Sequence, residues 1–104
     1  MTDAGPPVSI RDDRAEARFV VEEGDAVAEL VYDDETGTLV LLHTEVPAAF
    51  RHRGVGGELV KAAIRRARDE RRTLVPWCPF ARRWLLEHPD ETAGVPVDWS
   101  LPDA

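Results

Sequence analysis

Arg51-His52-Arg53-Gly54-Val55-Gly56-Gly57 is the stretch on which the fold turns. Before it, short apolar segments, one of them alternating, are separated by turn signals. After it, apolar residues recur at helical spacing. A glycine-rich loop between a strand and a helix leaves the first backbone N–H groups of the helix without intrahelical partners, at the positive end of the helix dipole. Glycine lets a phosphate approach the main chain closely, and Arg51 and Arg53 add positive charge. The stretch is not a nucleotide P-loop, because no Gly-Lys-Ser/Thr follows. It lacks the third glycine of a dinucleotide-binding fingerprint, and the strands before it read as antiparallel. The plain alternative is a glycine-rich helix start that binds nothing.

Working back from the loop, Thr38 to Val46 reads as a strong strand closed by Pro47. Ala26 to Tyr32 alternates cleanly, with Ala28, Leu30 and Tyr32 on one face and Glu29 on the other. Asp33 to Gly37 reads as the turn between these two strands, and Glu23-Gly24-Asp25 as the turn before them. Glu16 to Glu22 and Val8 to Asp12 supply two more strands, giving an antiparallel meander.

Working forward, Gly54 to Arg72 places Val55, Leu59, Val60, Ala63, Ile64 and Ala67 on one helical face. Leu74 to Trp77 reads as a short strand. Strand, helix, strand implies a parallel pair with a right-handed crossover. Phe80 to His88 reads as a second helix, with Pro79 in its first turn and Pro89 ending it. The organisation is one α/β domain over residues 8–90, a loose tail at 1–7 and a C-terminal tail at 91–104.

The chain has 104 residues and a net charge of -7. That charge argues against nucleic acid or an anionic membrane as a partner. The charge is uneven. Residues 51–83 hold ten Arg or Lys against three acids, a basic middle that suits a small phosphate-bearing polyanion. No apolar run is long enough to cross a bilayer, and the first residues do not read as a signal peptide. The expected location is the cytoplasm. One cysteine, Cys78, and scattered histidines leave no internal disulfide and suggest no metal site.

Arg-x-x-Gly-x-Gly after a strand resembles the acetyl-CoA-binding motif of the GNAT-type N-acetyltransferase superfamily. His43-Thr44-Glu45-Val46-Pro47, Cys78-Pro79-Phe80 and His88-Pro89 are similar to its short YjdJ-type subgroup. The resemblance covers about Ala17 to Pro89. It implies a minimal GNAT-like fold in which the strands ending near Val46 and Trp77 splay apart. It implies acetyl-CoA as cosubstrate and an unidentified amine as acceptor. Pantetheine would bond the backbone around Thr44 to Val46. The pyrophosphate would rest on amides from His52 to Gly57, with Arg51, Arg53, Gly54, Val55 and Gly56 in the same loop. The 3′-phosphate would meet Arg53, Arg82 or Arg83.

Two departures bear on mechanism. Larger members carry two helices between their first strands, and here only a few residues separate them. Many use a tyrosine in the helix after the second splayed strand to protonate the departing thiolate, and here that region holds Phe80. Cys78, between a strand and a helix, is therefore a candidate for acid or acetyl-carrying nucleophile; equally it reads as a small buried apolar residue. Glu45 and His43 share a strand face and are candidate bases, or simply an exposed pair. His52 reads as a backbone donor. Trp84 reads as core, given its spacing from Phe80, and Trp77 as a residue able to line the cleft. A non-catalytic CoA- or acyl-CoA-binding module, or a subunit that depends on a partner, is the rival function; separately, a small domain with a short sheet is able to form a homodimer.

Overall fold

The strand reading can be tested residue by residue in the computed structural model, which describes residues 8–102. The proposed N-terminal tail, residues 1–7, lies outside them. Four strands form the meander: β1 (Arg11–Asp13), β2 (Arg18–Glu23), β3 (Ala26–Glu35) and β4 (Thr38–Glu45). Helix α1 (Val55–Glu70), strand β5 (Thr73–Pro76) and helix α2 (Pro79–Glu87) follow. The sheet order is β1-β2-β3-β4-β5, with the first three pairings antiparallel and β4–β5 parallel.

Alternation dictates which face is buried. Phe19 pairs with Leu30 and Val21 with Ala28, so these four share a face with Tyr32. That face meets Leu59, Ala63 and Ala67 of α1 and Ala81 and Leu85 of α2 in one core. The other face carries Arg18, Val20, Glu29 and Val31, partly as ion pairs such as Arg18–Glu29 at 2.9 Å. Apolar burial on the helix side is the main stabilising contribution.

Strand β3 runs three residues further than its hydrophobic pattern predicts. Asp33, Asp34 and Glu35 pair with Val40, Leu39 and Thr38, and the turn shrinks to Thr36-Gly37, with Gly37 at φ 77°. Basic side chains near the end of α1 hold this acidic extension. Arg72 bonds the carbonyls of Glu35 (3.0 Å) and Thr38 (3.1 Å), and both Arg72 and Arg66 bond Asp34. Helix α1 ends at Glu70, two residues before Arg72. Arg71 turns left-handed (φ 57°) and Arg72 N–H returns to Ala67 O at 2.8 Å, which satisfies a terminal carbonyl. Past α2, residues 95–98 lie along the outer edge of β5. Leu74 N–H bonds Pro96 O and Asp98 N–H bonds Leu74 O, and Val95 is buried.

Tyr32 sits where sheet, β1 and α1 meet. Its hydroxyl donates to Asp12 Oδ1 at 2.6 Å, and the Arg66 guanidinium lies 5.0 Å from its ring centre. Burial first, then the Asp12 bond, pushes Tyr32 up to about 12. It is the single tyrosine of the chain, so its ultraviolet titration is unambiguous. Ionisation is expected near 12 in the folded protein, against about 10 for a free tyrosine. A raised folded value favours the protonated form, so this contribution to stability is present below about pH 10 and declines above it. Ionisation of the folded protein near pH 10 would contradict the buried bond.

Candidate active site

The site begins where β4 and β5 part. Their pairing runs from Thr38–Thr73 to Leu41–Pro76 and stops. Trp77 N–H (3.0 Å) and Cys78 N–H (2.8 Å) both donate to Leu41 O, and the chain turns into α2. Strand β4 continues alone to Glu45, so its β5-side edge is open there.

A β-bulge lies at the same point. Val31 pairs with His43 but Tyr32 pairs with Leu41, so Leu42 is an extra residue on β4. The bulge reverses the facing of everything after it. Leu39 and Leu41 point into the core. Without Leu42 out of register, His43 would follow them there. Instead Thr44 takes the helix side, while His43 and Glu45 share the open face, 3.5 Å apart and both well exposed. Thr44 Oγ1 lies 3.1 Å from Cys78 Sγ, bridging the fork, and Cys78 is 2% exposed.

After Pro47 a single 3₁₀ turn, Ala48–Phe50, buries Phe50 and delivers the glycine loop. His52 (φ 66°) and Gly54 (φ 67°) are both left-handed, a conformation natural to glycine and unusual for histidine. Gly54 caps α1, and the first intrahelical bond runs from Glu58 N–H to Gly54 O. The amides of Val55, Gly56 and Gly57 precede it and have no intrahelical acceptor.

Gly56 and Gly57 have a reason the sequence did not disclose. A Cβ on Gly56 would sit 2.7 Å from Phe80 Cζ, and one on Gly57 would sit 2.6 Å from Trp84 Nε1. These glycines let the α2 aromatics lie flush against the first turn of α1. A side chain at Gly56 would displace Phe80, so Arg51 is the cleaner place to perturb the loop.

A cleft of about 570 Å³ lies over this turn. Val46, Arg51, His52, Gly54, Val55, Gly56 and Gly57 all line it. Arg53 does not. Its guanidinium is committed to Glu23 by two bonds of 2.7 and 2.9 Å and lies over Phe50, so only its backbone belongs to the loop. Arg82 is also engaged, bonding Trp99 O at 2.8 Å and Pro76 O at 3.4 Å. Arg51 and Arg83 are exposed and have no ion-pair partner among the described residues. Thr44 and Cys78 stand at the fork beside the cleft, and His43 and Glu45 lie across the sheet from it.

Trp84, His88 and Lys61 are among the cleft residues that escaped the sequence reading of the site. Trp84, read as core, is half-buried and forms part of the wall. His88 stacks on it, ring centres 4.0 Å apart and planes 16° apart. Lys61, 3.4 Å from Glu58, lines the floor. The signal was present as the spacing Phe80, Trp84, His88, four residues apart on one helix face.

A strand pair that forks at a bulge beside a glycine loop and a helix N-terminus makes up the candidate site. Similarity to known proteins shows the family. The family model for GCN5-related N-acetyl-transferase matches residues 18–95. Protein NATD1 of Gallus gallus is 30% identical over 92 residues, covering 86% of this chain and 84% of that protein. Protein NATD1 of Homo sapiens is 32% identical over 88 residues, 82% of this chain and 78% of that protein. The solution structure of a GCN5-like candidate N-acetyltransferase from Staphylococcus aureus superimposes with a TM-score of 0.67 at 27% identity, covering 89% of this chain and 91% of that one. The chain belongs to the GCN5-related N-acetyltransferase family.

Proposed function

We propose that this protein transfers an acetyl group from acetyl-CoA to an amine. The observation that carries the reading is the fork after Leu41–Pro76, opening beside the free amides at the start of α1. The donor set suits a pyrophosphate: first-turn N–H groups, the left-handed His52 and Gly54, and Arg51, which has no ion-pair partner among the described residues. The open edge of β4 from Thr44 to Val46 offers backbone groups to a pantetheine arm. Acetyl-CoA supplies the activated thioester.

Residues of the chain have distinct tasks in this scheme. Glu45, with His43 beside it, takes the proton that an ammonium acceptor must lose, directly or through water. Their face of the sheet is the one the helices leave open, which gives the acceptor a route. The amine nitrogen bonds to the acetyl carbon as the carbon–sulfur bond breaks, and the surplus proton on nitrogen passes to solvent. Cys78 gives its thiol proton to the departing thiolate and regains one from solvent. Its recorded partner is the Thr44 hydroxyl, and a nucleophilic cysteine would need a neighbouring base. We therefore assign Cys78 the acid's role. Burial of Cys78 favours a second reading, a CoA-binding module without turnover.

Calorimetric titration with acetyl-CoA tests the reading. Saturable one-to-one binding is expected, weakened roughly 10-fold or more in Arg51→Glu through loss and reversal of a charge at the phosphates. Amine-dependent release of free thiol then separates the transferase from the module. Absence of binding by the wild type would refute both.

A further inference from the structure

Two left-handed residues within three positions give the glycine loop an uncommon path. Gly54 takes that conformation freely. His52 (φ 66°) takes it at a cost, and such a residue persists only where its surroundings hold it. Backbone bonds close on either side of the pair: Arg51 N–H donates to Ala48 O at 2.9 Å, and Glu58 N–H to Gly54 O at 3.1 Å. Neither His52 nor Arg53 donates a backbone bond among the described residues. The loop needs a holder other than its own main chain.

The side chain of Arg53, between the two left-handed residues, meets that need. Its guanidinium lies 5.6 Å from the ring centre of Phe50, itself buried. Both terminal nitrogens bond Glu23: Nη1 donates to Oε1 at 2.7 Å and Nη2 to Oε2 at 2.9 Å. Two parallel bonds fix direction as well as distance, which a single contact does not. Glu23 is itself fixed, because it is the last residue of β2 and pairs with Ala26 of β3. The bond from Arg53 holds the Glu23 carboxyl below its usual range, and the bond from Glu23 raises Arg53. Both groups are therefore charged at neutral pH and engaged with each other.

We propose that Glu23 is a positioning residue for acetyl-CoA, anchoring the glycine loop to the end of β2 through the Arg53 guanidinium. The proposal rests on the acetyl-CoA reading and adds the residue that shapes its phosphate loop. Glu23 lines no part of the cleft, so it acts through Arg53 and not on the ligand. An ion pair this open to solvent contributes little to global stability. Here one partner belongs to the sheet and the other to a short turn, so the pair acts on the local order of the turn. Affinity scales with the fraction of molecules whose loop already has the binding arrangement. Releasing Arg53 lowers that fraction and leaves the core between sheet and helices intact.

The test is a double-mutant cycle read by calorimetry. Acetyl-CoA is titrated into the wild type, Glu23→Ala, Arg53→Ala, the double variant, and Glu23→Gln. Each single alanine variant is expected to bind roughly 3- to 10-fold more weakly, as loss of a two-bond ion pair would lower the competent fraction. The double variant should lose no more than either single one, because both remove the same link. Glu23→Gln keeps an oxygen for Arg53 and should recover part of the loss, which a role in packing alone would not predict. Thermal midpoints of all four variants should stay close to wild type. Unchanged or tighter binding by Glu23→Ala would overturn the anchor, since a freed Arg53 would then be idle or a phosphate ligand itself. Losses that add in the double variant would overturn it too. Either result leaves the transferase reading standing. If the wild type does not bind acetyl-CoA, the transferase reading fails and the anchor with it.

Discussion

Replacing Arg66 by methionine is expected to destabilise the fold by roughly 3–5 kcal/mol, the cost of breaking a buried charge network from one side. Arg66 is 6% exposed, the one buried charged residue among those described. Its guanidinium bonds Asp12 of β1 (3.2 Å), Asp34 of β3 and Glu70 of α1 (3.2 Å), and covers the Tyr32 ring. It thereby ties the outer strands to the helix. Methionine keeps most of the stem but leaves three carboxylates sharing Arg14 and Arg72. In a domain of this size, the thermal midpoint should drop by on the order of 15 °C or more.

The pH dependence gives a second check. Burial alone would raise Asp34, but bonds from Arg72 and Arg66 outweigh it and hold the carboxyl below its usual range. Glu70 behaves alike, with burial outweighed by Arg14 and Arg66. Depressed folded values mean that the stability these groups add is present above about pH 4 and is lost as pH falls through the lower folded values. The gap between wild type and Arg66→Met should therefore narrow on acidification. A midpoint unchanged at pH 7 would show that the network carries no stability.

The second large effect falls on turnover. Cys78→Ala is expected to lower kcat by roughly 10²–10⁴-fold, the usual contribution of a positioned proton donor. Affinity for acetyl-CoA should stay near wild type, because Cys78 lines no part of the cleft proposed for the phosphates. The substitution removes one sulfur from a buried site and should cost about 1 kcal/mol of stability. Intact mass after incubation with acetyl-CoA alone should show no acetyl adduct, as the proposed acid role of the thiol requires. An adduct removed by Cys78→Ala would make it a nucleophile instead. Full activity in Cys78→Ala would reduce the residue to packing, in line with its 2% exposure.

Period-two alternation placed β3, apolar runs bounded by turn signals placed β2 and β4, and the change of period at Gly54 placed α1, because burial writes itself into the chain. The bulge left no such trace. Leu42 looks like one more apolar strand residue, and only pairing with β3 shows it to be out of register. That single residue decides that His43 and Glu45 face away from the core. The sequence did place those two on one shared face, since a spacing of two guarantees it. Arg66 was overlooked because arginine is counted as a solvent residue, yet it stands one turn from Ala62 and from Glu70, at the rim of the apolar face. The glycines were recognised for one property and serve two. Gly54 supplies the left-handed cap, while Gly56 and Gly57 make room for aromatic rings more than twenty residues away. The side chain of Arg53 was claimed by Glu23, a partner thirty residues back that only the tertiary fold brings near.

The central claim is that acetyl-CoA occupies the cleft between the open edge of β4 and the start of α1. Backbone amide spectra of the isotope-labelled protein, recorded while acetyl-CoA is added, test this most directly. The account predicts saturable shifts concentrated at His52 to Gly57 and at Thr44 to Val46, with the Asp12, Asp34 and Arg66 region unmoved. No saturable shift, or shifts gathered around the Arg66 network instead, would contradict it.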